Sequence, residues 1–241
     1  MLFGIGFKFV AITSDNHSTN RNVFYTMCGG DTKIDTRDRN HEFYKFEFRG
    51  VLIHVFFDAP HMWKCVRNNW KNLTNPGKVF FYPPHPDLIG DKASFDVIRQ
   101  LYFKEKDNVT KFAYKLSSNC INPSSWGRQN VKMALNIFHP STTAGLIQYA
   151  ENDPTGMATS TASFLTLFNS MWEILNIKTR DKWRHKKIPF AKPFYHNLVA
   201  SDLRFEKIIQ FINWLTEWER FNSNGVLTPE TFHALILNSR A

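Results

Sequence analysis

The sequence predicts an α/β segment followed by a mainly α-helical one. Runs of apolar and β-branched residues before position 58 have the alternation and composition of strands. After Asn75-Pro-Gly77 the apolar residues recur every three or four positions instead, as they do on helices. The chain has 241 residues, of which 43% are hydrophobic and 15% aromatic, so it can bury a sizeable core. We therefore expect a domain boundary near residue 74.

The first predicted strand contains Phe7, Val10 and Ile12 and ends at Asp15. The cap-forming residues after it predict a helix over about 19–27. A carboxylate at a strand end is a suitable ligand for Mg²⁺, which prefers hard oxygen atoms. An Asp at this place can also cap the helix that follows, and the local sequence alone favours that simpler role.

Two more strands are predicted over 43–48 and 51–57, separated by Arg49-Gly50. The charged, turn-forming residues 31–42 before them predict a loop. The second of these strands ends at Asp58. Together with the acid that ends the first strand, it would set two carboxylates near one edge of a sheet.

A helix is predicted to begin after Asp58, with Pro60 in its first turn, where a missing N–H is harmless. The carboxyl end of a strand is where α/β sheets usually place their chemistry. His61 stands at a spacing where one residue of the pair can orient the other. Asp58 and His61 could also simply cap the helix and pack.

The formal charge of +9 favours a polyanionic partner, meaning nucleic acid, a nucleotide or an acidic membrane surface. Part of this charge lies on the predicted helix, as Lys64, Arg67 and Lys71, and on Lys78 beyond it. These cations could follow a phosphate backbone, or they could form a solvated helix face. The stretch 178–192 is also basic, which suits an exposed linker or a nucleic-acid contact.

The second part of the chain is predicted to consist of separate helices. Apolar spacing indicates them around 95–102, 131–138, 158–175 and 203–221, with a last short one after Thr228-Pro-Glu230. Their aromatic residues, Trp172 among them, are more typical of a helix core than of a ligand platform. The predicted division is therefore an α/β part over 1–74, a helical part over 75–225 and a C-terminal helix within 226–241.

Several familiar sites and segments are not indicated. The three cysteines stand far apart without a CxxC pair, which gives no support to a disulfide framework or zinc site and favours a reducing, intracellular compartment. The apolar start is typical of a strand rather than a signal peptide, because Lys8 interrupts it. No apolar run approaches the ~20 residues of a membrane span. Without a Walker-type, GxGxxG or GxSxG motif, a bound nucleotide would need a site other than a P-loop.

Several segments resemble the P-element family of DNA transposases. The stretch Asp58-Ala-Pro-His-Met-Trp-Lys-Cys-Val-Arg-Asn-Asn69 resembles the family's Asp-x-Pro-His-Leu-x-Lys-x-x-Arg-Asn and is the most specific match. The stretch 11–20 resembles the family's strand that is followed by an Asp and, five residues on, an Asn. The stretches at Lys115-Leu116, 131–141 and 161–176 resemble successive parts of the helical insertion that interrupts the family's core.

The resemblance implies a nuclear, cut-and-paste DNA transposase with transposon ends as its DNA partner. Its fold would be an RNase H-like α/β core interrupted by a helical insertion that binds GTP. Residues 1–74 would then form a partial RNase H-like sheet, and the helical residues after it the insertion domain. The resemblance leaves open whether the full-length protein forms a homo-oligomer.

The resemblance also implies which acids act. The family core uses Mg²⁺ and three acidic residues, and Asp15 matches the second of them. Asp58 and His61 match a supporting motif beside the site. The first acid would belong to a strand before Met1 and the final Glu to a helix beyond Ala241. We therefore expect this chain by itself to be unable to cleave or join DNA, because two-metal phosphoryl chemistry needs several converging carboxylates.

For GTP, the family pattern Asn-x-x-Phe-Asp is present here as Asn169-Ser-Met-Trp-Glu173. By this match Asn169 would help to recognise the base, Trp172 would stack on it, and Glu173 would accept hydrogen bonds from guanine N1 and N2. The Glu adds a methylene relative to the family's Asp, which bears on guanine selectivity. Lys115 is the best match for a phosphate-contacting lysine, and Arg128 is a second candidate.

Three interpretations of function result. The first is part of a P-element-like transposase that uses GTP and Mg²⁺. The second is a domesticated, non-catalytic module that binds GTP, DNA or both. The third is a degenerate reading frame that retains a fold without a function. Metal-dependent nuclease activity separates the first from the second, and GTP titration separates the second from the third.

Overall fold

The computed structural model describes residues 7–29, 45–72, 76–177, 179, 181, 184–185, 188–192, 194, 202–221 and 226–240. The beginning of the apolar start, the predicted loop over 31–42 and much of the basic stretch 178–192 lie outside the described residues. Within the described ranges, no helix has both the length and the apolar composition needed to cross a membrane.

The first sheet has three strands in the order β1-β3-β2: β1 is Ala11–Ser14, β2 is Lys45–Phe48 and β3 is Val51–Phe57. β1 runs parallel to β3, and β2 runs antiparallel to it. The turn between β2 and β3 has positive φ at Arg49 and Gly50, the geometry that suits the twist of a two-residue hairpin. The central strand of this sheet is β3, and its side chains Ile53, Val55 and Phe57 are buried.

The parallel register sets the strand ends side by side. Ser14 is opposite Phe57, and the N–H of Asp58 donates a hydrogen bond to the carbonyl of Ser14 at 2.7 Å. Asp15 and Asp58 therefore leave the sheet at the same edge, as the sequence predicts.

Helices make up most of the remaining structure. Their bounds are Ser18–Met27 (α1), Ala59–Trp70 (α2), Phe95–Glu105 (α3), Ser118–Ile121 (α4), Ser125–Gln129 (α5), Val131–Ile137 (α6), Pro140–Ala150 (α7), Met157–Leu175 (α8), Leu203–Arg220 (α9) and Pro229–Arg240 (α10). The predicted helices of the second part are confirmed. A second sheet, which was not predicted, pairs β4 (Val79–Phe81) with β5 (Lys92–Ser94) in antiparallel orientation. Strands of three residues are too short to show a clear alternation.

Helix α2 joins the two parts of the fold. Met62, Trp63, Val66 and Trp70 are fully buried along it. Trp70 lies 5.2 Å from Phe80 of β4 and 5.2 Å from Phe164 of α8, measured between ring centroids, so α2 reaches the aromatic core of the helical part. Aromatic pairs at this spacing add to the stabilisation from burial.

The solvated-face alternative for the α2 cations is wrong for Arg67, which is 0% exposed. Its guanidinium Nη2 donates hydrogen bonds to the carbonyls of Gly127 at 3.3 Å and Arg128 at 2.7 Å. Arg67 therefore ties α2 to the short helix α5.

The C-terminal helix α10 returns to the α/β part. The N–H of Thr228 donates to Oδ1 of Asn69 at 3.0 Å, and Nδ2 of Asn69 donates to Oγ1 of Thr231 at 3.0 Å. The architecture as a whole is mixed α/β with small sheets, followed by a mostly helical region, which confirms the predicted fold class at that level.

Candidate functional site

The strand-end acid Asp15 is exposed and held by its neighbours. Its Oδ1 accepts hydrogen bonds from the backbone N–H of His17 at 3.1 Å and from Nδ2 of Asn20 at 2.6 Å. These bonds, the one from His17 first, keep the pKa of the Asp15 carboxyl below its ordinary value. The capping alternative for Asp15 is wrong, because His17 occupies the N-cap of α1 and accepts from the N–H of Thr19.

Asp58 and His61 form a pair at the start of α2. Oδ2 of Asp58 lies 2.5 Å from Nδ1 of His61, and the Asp58 side chain makes no cap hydrogen bond. The carboxylate therefore orients the imidazole and leaves helix capping to the backbone carbonyl of Asp58. His61 is also among the groups whose charge lowers the pKa of Asp15, which places all three side chains within electrostatic range.

The fit of this edge to Mg²⁺ is incomplete. The Asp58–His61 pair and the Asp15 carboxylate lie at the same edge of the sheet, and oxygen ligands suit the metal. Across the part of the chain that the structure describes, however, no group of three or more His, Cys, Asp or Glu side chains is placed to hold a metal ion. The described residues therefore do not form a Mg²⁺ site by themselves.

A cavity of about 410 Å³ lies between the start of α7 and the last turns of α8. We call it the α7–α8 cavity; its walls include Asn169, Trp172 and Glu173 together with His139 and Ala191. The three α8 residues stand at positions i, i+3 and i+4, so one face of the helix presents them together. The structure thus brings together the three residues that the family pattern assigns to guanine.

The polar pair in this cavity is pre-arranged. Nδ2 of Asn169 donates a hydrogen bond to Oε1 of Glu173 at 2.9 Å. A carboxylate oxygen has two lone pairs, so Oε1 can accept this bond and one from a ligand. The bond limits the rotamers of Glu173, which offsets part of the freedom that its extra methylene brings.

Trp172 is half-buried and packs edge-on against the buried Trp63 of α2, with ring centroids 5.4 Å apart. Its neighbours on α8, Phe168 and Met171, are buried in the core, and for Phe168 this agrees with the prediction for the aromatic residues of the helices. Trp172 therefore has one side on the core and another on the α7–α8 cavity, which is a suitable position for a stacking platform.

The predicted phosphate contacts lie apart from this cavity. Lys115 is exposed, with Nζ 5.3 Å from the ring centroid of Tyr114. The Tyr114 ring in turn lies 5.7 Å from that of His139 in the cavity wall. Lys115 thus connects to the cavity wall through Tyr114 without lining the cavity, whereas Arg128 lines a different cavity beside α2.

Two wall residues were not predicted because they come from other segments. His139 is the N-cap of α7, and its Nδ1 accepts a hydrogen bond from the N–H of Ser141 at 3.1 Å. Because Nδ1 is an acceptor, the proton of the neutral ring lies on Nε2. Ala191, from the 3₁₀ turn Pro189–Ala191, is buried against α8. Pro140 in the first turn of α7 is a sequence signal for the helix start, but it does not indicate that His139 lines a cavity.

Comparison with known proteins decides the family. The family model described as "TNP-like, GTP-binding insertion domain" matches residues 60–188, more than half of the chain. The chain belongs to this family. The matched range begins within α2 and includes every wall residue of the α7–α8 cavity named above except Ala191. The predicted boundary near residue 74 stays a prediction.

Two relatives place the domain among P element transposase-like proteins, as the sequence motifs predicted. The chain is 28% identical over 177 residues to the "Transposable element P transposase" of Drosophila melanogaster, covering 72% of this chain and 21% of the relative. It also matches the solved "Drosophila P element transposase strand transfer complex" with a TM-score of 0.68 and 24% identity, covering 99% of this chain and 48% of that one. The chain thus spans about a fifth of the one relative and about half of the other.

Proposed function

We propose that this P element transposase-like chain binds GTP, with the guanine base in the α7–α8 cavity. The observation that carries the proposal is the convergence of Asn169, Trp172 and Glu173 on one cavity wall. Membership in a family with a GTP-binding insertion domain supports the same nucleotide.

The chemistry of the cavity suits guanine better than adenine. Guanine presents two donors, N1–H and N2–H, on one edge, and the Glu173 carboxylate presents two acceptors. Adenine has a hydrogen-bond acceptor at N1. This atom would face a carboxylate oxygen that is also an acceptor, so the two could not form a hydrogen bond. A charge-assisted pair of this kind contributes about 1.5–3 kcal/mol per hydrogen bond.

In this proposal Trp172 stacks on the base and Lys115 meets the phosphates near the cavity mouth. Lys115 contacts the Tyr114 ring, which in turn contacts His139 in the cavity wall. The triphosphate would therefore leave the cavity on the side of His139. Arg128 would contact the phosphates only if the triphosphate reached the cavity beside α2, which Arg128 lines.

We further propose that the chain contributes part of a DNA transposase core. Asp15, next to the Asp58–His61 pair, is the proposed acid of that core, with Mg²⁺ and transposon-end DNA as cofactor and substrate. The adjacent strand ends and the ionised, exposed Asp15 carboxylate support this assignment. Asp58 would keep His61 oriented beside the Asp15 carboxylate.

Titration of the purified chain with GTP and ATP, followed by calorimetry, tests the nucleotide proposal. We expect saturable binding of GTP and at least tenfold weaker binding of ATP. Glu173→Ala should weaken GTP binding by at least about 10–100-fold, the equivalent of one of the two charge-assisted hydrogen bonds. Glu173→Asp restores the family residue and should keep or sharpen the preference for GTP.

Glu151→Gln supplies a matched control, since Glu151 is an exposed acid outside the cavity. It should leave GTP binding unchanged. Equal affinities for GTP and ATP, or no loss in Glu173→Ala, would end the proposal. Metal-dependent nuclease activity that Asp15→Asn abolishes would support the transposase core, whereas GTP binding without nuclease activity is expected both of the isolated chain and of a non-catalytic module.

A further inference from the structure

One face of α2 carries a row of polar and basic side chains that the nucleotide proposal does not use. His61, Lys64, Asn68 and Lys71 follow one another at spacings of three, four and three residues, so they lie along the same side of the helix. At ~1.5 Å per residue the row is about 15 Å long. It begins at the strand-end carboxylates and ends at the cavity that contains Arg128.

This second cavity has a volume of about 270 Å³ and a basic lining. Lys71 and Arg128 contribute its charged side chains, and Asn68, Asn72 and Gln129 contribute amides. Among the residues that the structure describes, no carboxylate lines it. Burial, followed by the charges of neighbouring cations, lowers the pKa of Lys71 to about 8. Cations held this close together, without an acid in the wall, favour an anionic occupant.

The buried Arg67 adds an independent observation. Its Nε donates to Oδ1 of Asn68 at 2.8 Å, and its Nη2 donates to the carbonyl of Arg128 at 2.7 Å, so the guanidinium lies against two lining residues. Among the described residues, all its hydrogen-bond acceptors are neutral oxygens, and the buried Nη1 atom has no hydrogen-bond partner. A buried cation with an unused donor is costly unless an anion or polar group meets it.

An exposed tryptophan stands next to this basic cavity. Trp126 of α5 is 89% exposed and lines a neighbouring cavity of about 450 Å³. Gln129 belongs to the walls of both cavities, and its Oε1 accepts a hydrogen bond from Nζ of Lys64 at 3.1 Å. A flat indole beside clustered cations is the pairing that single-stranded nucleic acids use, with a base on the ring and phosphates on the cations.

We propose that Lys64, Lys71, Trp126 and Arg128, which we call the α2–α5 surface, bind one strand of nucleic acid. The phosphates follow Lys64 and Lys71 along α2 toward Arg128, and a base stacks on Trp126. The row starts at His61, so the strand would lead away from the strand-end carboxylates. The inference rests on the proposed transposase function for its choice of nucleic acid, and it is independent of GTP binding.

Binding of a fluorescently labelled single strand of about 12 nucleotides, measured by anisotropy at several salt concentrations, tests this surface. Trp126→Ala should weaken binding by about fivefold to a hundredfold, and Trp126→Phe should keep most of it. Arg128→Ala should weaken binding and reduce the slope of log affinity against log salt by about 1. Both substitutions are at exposed side chains, so the fold should tolerate them.

Phe103→Ala and Lys104→Ala on α3 are the matched controls, since both remove exposed side chains away from α5. Neither should change strand affinity. GTP titration of the Trp126 variants forms the second arm of the experiment and should give wild-type values. If Arg128→Ala loses GTP binding and keeps strand binding, the basic cavity holds nucleotide phosphates and the inference is overturned.

Unchanged strand affinity in Trp126→Ala would also overturn it, as would the absence of strand binding by the wild-type chain. Strand binding that depends on Trp126 and Arg128, in a chain that does not bind GTP, would support this surface and refute the α7–α8 cavity proposal.

Discussion

The side chain of Asn238 pairs with both backbone groups of Phe57. The N–H of Phe57 donates to Oδ1 of Asn238 at 2.7 Å, and Nδ2 of Asn238 donates to the carbonyl of Phe57 at 2.5 Å. Asn238 lies on α10, and Phe57 is the last residue of β3. The amide thus acts as a neighbouring strand would and fixes the C-terminal helix next to the residue that precedes Asp58.

Replacing this amide should destabilise the whole fold. Asn238→Ala leaves two buried backbone groups of Phe57 without partners, and we expect the free energy of unfolding to fall by about 2–4 kcal/mol. Urea unfolding followed by circular dichroism measures the change. Ser239→Ala on the same helix removes a bond to the carbonyl of Leu235 within the helix and should cost less than about 0.5 kcal/mol. Equal losses in the two variants would contradict the role of Asn238.

Local patterns predicted the features that depend on neighbouring residues. The strand ending at Asp58, the helix after it and the helix over 158–175 follow from periodicity and cap chemistry, whereas Asn169, Trp172 and Glu173 on that last helix were singled out by the resemblance to the family pattern. These features need no knowledge of distant contacts, because a helix places positions i, i+3 and i+4 together in any fold.

Features that depend on distant partners were missed. Arg67 was expected to be a solvated or phosphate-tracking cation, because a buried arginine satisfied by the carbonyls of α5 has no local signature. His139 and Ala191 reach the α7–α8 cavity only through the packing of separate segments on α8. The position of Asn238 against β3 likewise depends on a chain separation of 181 residues.

The stacking role of Trp172 makes a prediction that separates affinity from stability. Trp172→Leu keeps apolar volume against Trp63 but removes the aromatic face, whereas Trp172→Phe keeps a face. We expect the Leu variant to bind GTP about 1–3 kcal/mol more weakly than wild type and the Phe variant to lose much less. Calorimetric titration gives the affinities, and urea unfolding checks that both variants remain folded. Equal affinities in the two variants would return Trp172 to a purely structural role.

Arg204 should control the wall of the α7–α8 cavity from outside it. It is buried, forms an ion pair with Asp202, donates to the carbonyls of Phe190 and Lys192, and stacks 4.0 Å over the ring of Phe194. It thereby holds the turn that supplies Ala191. We expect Arg204→Ala to weaken GTP binding by about tenfold and to lower the free energy of unfolding by about 1–3 kcal/mol.

Hydrogen exchange distinguishes a local role of Arg204 from a general loss of stability. Amides at 188–192 should exchange faster in Arg204→Ala than those of α8, because the local anchor is lost first. Arg204→Lys should be intermediate, since an ammonium cannot form the same forked contacts. Leu203→Ala, at an exposed neighbour, should match wild type in both measurements. A uniform increase in exchange across α8 would argue against a local anchor.

Lys71 should give the chain a distinct dependence of stability on pH. Its folded pKa of about 8 lies below its ordinary value of 10.5, chiefly because of burial and then because of neighbouring cations, Arg67 first. Between these two values the unfolded chain binds more protons than the folded one, so the free energy of unfolding rises with pH. The charged lysine thus destabilises the fold below about pH 8 and stops doing so above about pH 10.5.

Replacing the lysine should remove this contribution. In Lys71→Met the apolar stem is kept and the charge is lost, so the difference in unfolding free energy between variant and wild type should shrink as pH rises from about 7 to 10. Lys104→Met, at an exposed site, should show no such trend. A single strand bound on the α2–α5 surface would favour the protonated lysine, so wild-type strand affinity should fall over the same range and that of Lys71→Met should not. A constant difference in unfolding free energy across this range would contradict the lowered pKa of Lys71.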